Sequence, residues 1–359
     1  MFGQIKVKFV QRFVKEMHRS FEKKGLYTLQ SLSYIRIVFL IAPLMKQLLK
    51  TTGTILKGAF HLLNTSHPLV LSASTAFFTT FGLSPILINL AHLLTLFFDQ
   101  EIILGKLFTK VATSVGEKAA HDVKRIVENF LSFETNAWVT IPVTLFFYFV
   151  GTTLLTNIRQ CIHQLWHIKQ KPEYPFSYHL KERLIEIGII LLIGVLFLIS
   201  TVFDTGIDHF NQFIGENHPG AQNFANSLLH AILSIVMIST WITLIFKLMP
   251  EAYVQWRVAI AGGLFTGVLI NIGRFTLTKL LVTDQFRHLF GPSASMALLL
   301  LFIFYCSLTL YFGTSFTYVF AKVTNQPIRP GTMADKYEKT IVEVGASRRR
   351  KTSSNKKKN

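Results

Sequence analysis

Three hydroxyl residues, Ser72, Thr75 and Thr79, follow one another at intervals of three and four, so a helix gathers them on one face. They lie in Leu69–Phe98, a stretch without Asp, Glu, Lys or Arg that also holds Ser84, Asn89 and His92. Pro85 removes the amide that the Phe81 carbonyl would otherwise accept from, and Gly82 eases the resulting bend. A kinked, hydroxyl-lined helix can border a substrate path. The competing reading is packing, since Ser and Thr also serve as hydrogen-bonding spacers between apolar helices.

A second stripe is sharper. Gly263, Gly267, Asn271, Arg274 and Thr278 are spaced 4-4-3-4, again one helical face. Gly263 and Gly267 form a GxxxG pair that lets a neighbouring helix approach closely. Arg274 stands about 24 Å along the helix from Val258 at 1.5 Å per residue. In a hydrocarbon core roughly 30 Å thick that places it near the far boundary, free to snorkel to headgroups or to meet a phosphate or carboxylate.

Other candidates are isolated. His163 and His167 have an i,i+4 spacing that suits a metal, but no third ligand has matching spacing, and a polar interfacial helix explains them. His230 reads as a hydrogen-bonded packing residue before a proton relay. Glu186 has Arg183 beside it for local pairing. Cys161 and Cys306 are far apart and define no disulfide framework. The chain contains no P-loop, HExxH or GxSxG motif. No catalytic residue, metal site or cofactor site is therefore predicted, and the chain does not read as an enzyme; transport without an ATP site must draw on a gradient, a partner or passive flow.

The elements that position these residues follow from composition. Half of the 359 residues are apolar and only 16% are charged, well below the roughly 25% of soluble domains. A crossing helix needs about 20 mostly apolar residues. Six stretches supply them: Leu69–Phe98, Ala137–Ile158, Leu184–Phe203, Ser227–Leu248, Val258–Val282 and Ala294–Ala321. The fold class is all-α, a polytopic membrane protein, because lipid offers no partner to unpaired backbone groups. Of the 37 Lys and Arg residues, 29 fall in segments on one side of such a six-span arrangement and 6 on the other, which predicts both termini in the cytoplasm. Trp138, Trp166 and Trp256 fall near span ends, where aromatic belts form.

Three regions result: a basic segment 1–66, a membrane domain 67–325 and a tail 326–359. No apolar core of about 7–15 residues followed by a cleavage site precedes span 1, so no cleavable signal peptide is predicted. Residues 5–21 put Ile5, Phe9, Phe13, Met17 and Phe21 opposite Lys6, Lys8, Arg12 and Lys15, the pattern of a helix lying on an anionic inner leaflet or packing on the protein's own loops. The run 37–45 is too short to span and reads as interfacial or re-entrant. Between Asp99 and Asn136, apolar residues at helical spacing (Leu107, Val111, then Val123, Val127, Phe130) predict a pair of amphipathic helices, with breaks at Gly105 and Gly116. The tail ends in Arg348–Lys351 and Lys356–Lys358, a polybasic disordered end. Anionic inner-leaflet headgroups and membrane lipids are the expected partners, envelope proteins a second class, and nucleic acid a minor alternative.

Several motifs in order along the chain resemble those of the YihY/BrkB-type inner-membrane proteins, historically labelled ribonuclease BN-like. Ala76-Phe77-Phe78 followed by Ser84-Pro85 is similar to that family's opening AxAYY…SLxP element. Gly116-Glu117-Lys118-Ala119-Ala120 resembles its outer-loop pattern, and Ile162–Trp166 with Ile168 its LNxIWxV element. Pro250, Trp256, Gly263, Gly273-Arg274, Gly291, Ser295, Tyr305 and Gly313 fit its second half. Gly82, Phe304 and Ser315 depart from it, and Ser315 stands where the family carries an acid. The resemblance covers roughly residues 65–325 and implies a six-span protein of a bacterial inner membrane. The expected function is a transporter or flippase-like protein for an amphiphilic or anionic substrate, its path lined by Ser72, Thr75, Thr79, Pro85, His230, Asn271 and Arg274, with spans 1 and 5 facing a shared interior. The alternative is a non-transporting scaffold for envelope proteins. The ribonuclease label has no acid/base pair or metal cluster in this sequence to support it.

Overall fold

The computed structural model describes residues 50–95, 105–109, 112, 117–131, 137–171, 176–217, 219–281 and 294–337. The basic face of residues 5–21, the 37–45 run, the Gly116 break and the basic cluster at 348–358 lie outside them, as do the side chains of Ser84, Asn89, His92, Trp138 and Thr278. The chain divides into two compact units, 1–57 and 58–359. Of the first, residues 50–57 are helical. The second carries the architecture below.

Among the described residues, seven long helices follow the helical segment 50–64 in order: α1 Pro68–Thr95, α2 Glu117–Leu131, α3 Ala137–Trp166, α4 Phe176–Asn217, α5 Pro219–Leu248, α6 Trp256–Leu281 and α7 Ala294–Val323. Pro68 and Pro219 occupy first helical positions, where a missing N–H costs nothing. Helix α3 stops at His167, whose φ of 56° is left-handed. Helices α3, α4, α5 and α7 each contain one predicted span and extend beyond it at one end or both, while α1 and α6 cover theirs as far as Thr95 and Leu281, the last described residues there. The largest difference is α4, with 42 residues, about 63 Å at 1.5 Å per residue. It reaches Asn217, and α5 starts at Pro219, so what the sequence reads as a loop from Asp204 to Asn226 is helical over nearly its whole length.

Among the described residues, four helices are long and apolar enough to cross a membrane, over Leu180–Asp204, Leu228–Leu248, Trp256–Thr276 and Ala297–Val323, and α1 holds a shorter apolar run, Pro68–Leu83. Their outward faces are greasy: Phe77, Phe81, Phe146, Val195, Ile232, Ile260 and Phe275 are all exposed. Their inward faces are small and hydroxylated, with Ser72, Thr266, Thr314, Ser315 and Thr317 fully buried. That inversion of the soluble pattern is what an apolar solvent selects. The molecule is an all-α polytopic membrane protein.

Helix α7 is central, packing on α1, α3 and α6; α6 packs on α5, and α5 on α4. The α5–α6 seam is very close. A Cβ on Gly263 would stand 2.7 Å from the Ser239 carbonyl oxygen and 2.9 Å from the Thr243 amide nitrogen. The amphipathic α2 is present as expected, but its apolar face is spent inside the bundle. Leu107, Phe108, Val123 and Val127 join Ala76, Leu87, Ile88, Leu299 and Ile303 in one cluster. Gly105, expected as a break, is the first described residue of a helical turn over 105–109.

Short strands tie one end of the bundle together. β1 (Ile168–Gln170), after α3, pairs antiparallel with β4 (Ala334–Lys336), after α7. β2 (Ala252–Tyr253), between α5 and α6, pairs with β3 (Arg329–Pro330). The α3–α4 connection, the α5–α6 connection and the segment after α7 therefore share one end, as an alternating chain requires.

Candidate functional site

The predicted polar residues fall into two groups. The first lies where α1, α3 and α7 meet. Thr75 shares a hydrogen bond with the Tyr311 hydroxyl, Asn157 donates Nδ2–H to Thr75 Oγ1 at 2.9 Å, and Ser74 donates to Asn157 Oδ1 at 2.9 Å. Thr79 turns back to the Thr75 carbonyl at 2.7 Å. Ser72 is fully buried, and its Oγ has no protein partner. Pro85 is buried inside the continuous α1, one turn from Gly82, whose Cβ position lies 3.8 Å from Leu154. These groups are closed in among three helices.

The second group lies on α4, α5 and α6. Asn271 accepts from Ser234 across the α5–α6 seam at 2.8 Å and donates to the Gly267 carbonyl at 2.9 Å. Arg274 is half-buried one turn further along the same helix. On the neighbouring α4–α5 seam His230 Nδ1 stands 3.6 Å from Asp204 Oδ1, with both side chains about one-third exposed. Next in sequence to that pair, Val202, Phe203, Gly206, Ile207 and Leu229 line an open apolar cleft of about 410 Å³. Helix α7 packs on both α1 and α6, and the polar residues of spans 1 and 5 find their hydrogen-bond partners in separate seams. The α4–α5 seam supplies a different arrangement: an apolar groove whose lining residues Phe203 and Leu229 are the chain neighbours of an Asp–His pair.

A third polar cluster lies at the strand-tied end. Arg159 pairs with both Glu182 and Glu186; Arg183 Nη1 reaches Glu186 Oε2 at 3.1 Å, and Thr156 donates to Glu186 Oε1 at 2.8 Å. Two guanidiniums thus balance two carboxylates, which is what lets Glu186 sit at 1% exposure. The expected local pairing of Glu186 with Arg183 holds, but the closer partner is Arg159, on another helix. His163 and His167 are not partners. His163 Nε2 accepts from the Glu251 amide at 2.9 Å, whereas the His167 ring stacks near Tyr318 and Tyr337. His163 lies beyond the span end at Ile158; burial first, and the Arg159 charge second, lower its pKa to about 4, so the imidazole is neutral, as an Nε2 acceptor must be. Tyr178 donates to Glu251 Oε1 at 2.7 Å, and Trp166 donates Nε1–H to the Thr314 carbonyl at 3.1 Å.

Sequence reading passed over Tyr311, Asn157, Ser234 and Asp204. Asp204 was visible only as a loop charge, because the helical extension of α4 gives no signal distinct from a polar loop. Tyr311 and Asn157 sit inside apolar runs, where their depth alone is a signal that could have flagged them.

The family model described as "Virulence factor BrkB" matches residues 59–337, which ends where the last strand pair ends. The chain belongs to that family. Among curated proteins it is similar to a UPF0761 membrane protein of Psychromonas ingrahamii, 24% identical over 47% of this chain and 54% of the relative. A UPF0761 membrane protein of Pseudomonas paraeruginosa is 26% identical over 67% of this chain and 56% of the relative. One from Stenotrophomonas maltophilia is 21% identical over 72% and 58%. The chain spans little more than half the length of these curated relatives. No solved structure matches. Their printed names say membrane protein and no more, and the chain is accordingly an integral membrane protein of the BrkB family.

Proposed function

We propose that this chain is a six-span transporter or flippase-like protein whose amphiphilic or anionic substrate travels along the α4–α5 groove. The observation that carries the reading is the groove itself: a cleft of about 410 Å³ with an apolar wall of Val202, Phe203, Ile207 and Leu229, next in sequence to the Asp204–His230 pair. That volume is in the range of small-molecule sites. The groove lies where the apolar runs Leu180–Asp204 and Leu228–Leu248 reach their polar ends. An acyl chain would rest on the wall while its headgroup met Asp204 and His230, with Arg274 on the next helix as a cation for phosphate or carboxylate. The scaffold alternative draws less support, because the apolar face of α2 that it would display is spent within the bundle.

The test is reconstitution of the full chain in liposomes, scoring dithionite quenching of labelled lipids and efflux of small anions. Wild type should exceed empty vesicles for at least one amphiphile. Val202→Trp, which fills the groove, and the double variant Asp204→Asn/His230→Gln should return the rate to that of empty vesicles while the protein keeps its melting temperature. Wild type equal to empty vesicles across anionic and zwitterionic lipids and small anions would end the reading.

A further inference from the structure

Cation–aromatic pairs recur at the strand-tied end. Lys181 Nζ lies 4.8 Å from the Tyr178 ring centroid and Lys247 Nζ lies 5.4 Å from that of Trp256. Tyr318 is different: it receives two ammonium groups, Lys322 at 4.6 Å and Lys336 at 5.8 Å. One belongs to the last turn of α7, the other to β4, and the β1–β4 pairing fixes their approach. Two like charges within 6 Å of one ring centroid repel each other, and a single quadrupole offsets little of that.

Among the described residues no carboxylate compensates. Asp335 is next to Lys336 in sequence, but it lies within 4.0 Å of Lys171, and successive strand residues point to opposite faces. Lys169, opposite Asp335 in the strand pair, is exposed on that other face, where it and Lys171 stand beside the Asp335 carboxylate. Lys322 and Lys336 are exposed, while Tyr318 is buried at their base. The site sits at the terminal turn of the apolar run Ala297–Val323, the depth at which headgroups meet protein.

We propose that Lys322 and Lys336, seated over Tyr318, bind the phosphate of an anionic lipid headgroup. Each ammonium donates to phosphate oxygens at about 2.8 Å, beside the exposed Val323 at the end of α7. Lipid is the source favoured by position, because the two exposed ammonium groups stand at the terminal turn of the apolar run Ala297–Val323, where a crossing helix meets the headgroups. The site is separate from the α4–α5 groove and does not depend on transport.

The experiment is native mass spectrometry of the full chain in detergent, titrated with phosphatidylglycerol and, separately, phosphatidylcholine. Wild type should retain phosphatidylglycerol in preference to phosphatidylcholine. The double variant Lys322→Gln/Lys336→Gln should lose that preference by about fivefold for each lysine removed, the ratio expected of a basic side chain at a membrane surface. Lys181→Gln, at the same end but over a different ring, should leave it intact. An unchanged double variant, or an equal loss in Lys181→Gln, would overturn the proposal in favour of diffuse charge. Displacement of phosphatidylglycerol by millimolar inorganic phosphate would overturn the lipid assignment and make this a free-phosphate site. An unchanged melting temperature in the double variant separates loss of binding from loss of fold.

Discussion

His163 shows how much one side chain can commit at the connector end. Its Nε2 accepts from the Glu251 amide, Arg159 faces it, and its folded pKa is about 4 against an ordinary 6.5. The unfolded chain takes up a proton as pH falls through 6.5, while the folded chain refuses one until about pH 4. Stability is therefore insensitive to this group above pH 6.5 and declines as pH drops from there. Between pH 7.5 and 5 the imidazole should cost the fold about 2 kcal/mol. His163→Gln keeps an acceptor for Glu251 and cannot titrate, so its melting temperature in detergent should fall less over that interval than wild type. Equal slopes for the two proteins would refute the assignment. At this scale sequence was a partial guide. Ser72, Thr75 and Thr79 do share a buried-side stripe, yet their partners Asn157 and Tyr311 are 82 and 236 residues away from Thr75, beyond the reach of any local pattern.

Among the helices, the α5–α6 seam depends on the absence of side chains. A Cβ on Gly267 would stand 3.0 Å from the Ser239 Cα, a backbone atom that cannot turn aside. Gly267→Val should force the helices apart and cost about 1–3 kcal/mol, with the Ser234–Asn271 hydrogen bond lost as the seam opens. Thermal unfolding with a fluorescence readout checks this, and Ile260→Val on the exposed face of the same helix should change little. The GxxxG spacing announced this seam because close approach needs small residues at one helical interval. The helix positions were legible for a related reason, as 20-residue apolar runs are a strong, local signal. The lengths were not. Past Phe203, α4 continues through Asp204, Asp208 and Glu216, and nothing in a solvated helix distinguishes it from a loop in hydropathy alone. The partner of each helix was equally hidden, so the polar residues of spans 1 and 5, expected to face one interior, find their partners in separate seams.

For the whole molecule, the segment after α7 is a structural part and not a trailing end. Ile328 and Ala334 are buried, β3 pairs with β2, and β4 pairs with β1. Ending the chain after Tyr337 should leave the melting temperature unchanged. Ending it after Gln326 removes both strand pairs and should cost about 3 kcal/mol or more, the scale of deleting one buried Ile. If both truncations melted together, the strands would carry no stability. The charge bias of the sequence had put all these segments on one side, and the strand pairs join them at one end of the bundle, so two unrelated features point to the same arrangement of helices.

The β1–β4 pairing also sets an order of events during synthesis. The ribosome finishes Ile168–Gln170 some 160 residues before it makes Ala334–Lys336, and four long helices must be threaded into the bilayer in between. Until the last strand emerges, the edge of the first has no neighbour and the seam between the early and late halves stays unfastened. Closure thus reports that every helix has been delivered, and a nascent chain stalled short of residue 336 would present an open strand edge to the quality-control machinery that surveys half-made membrane proteins.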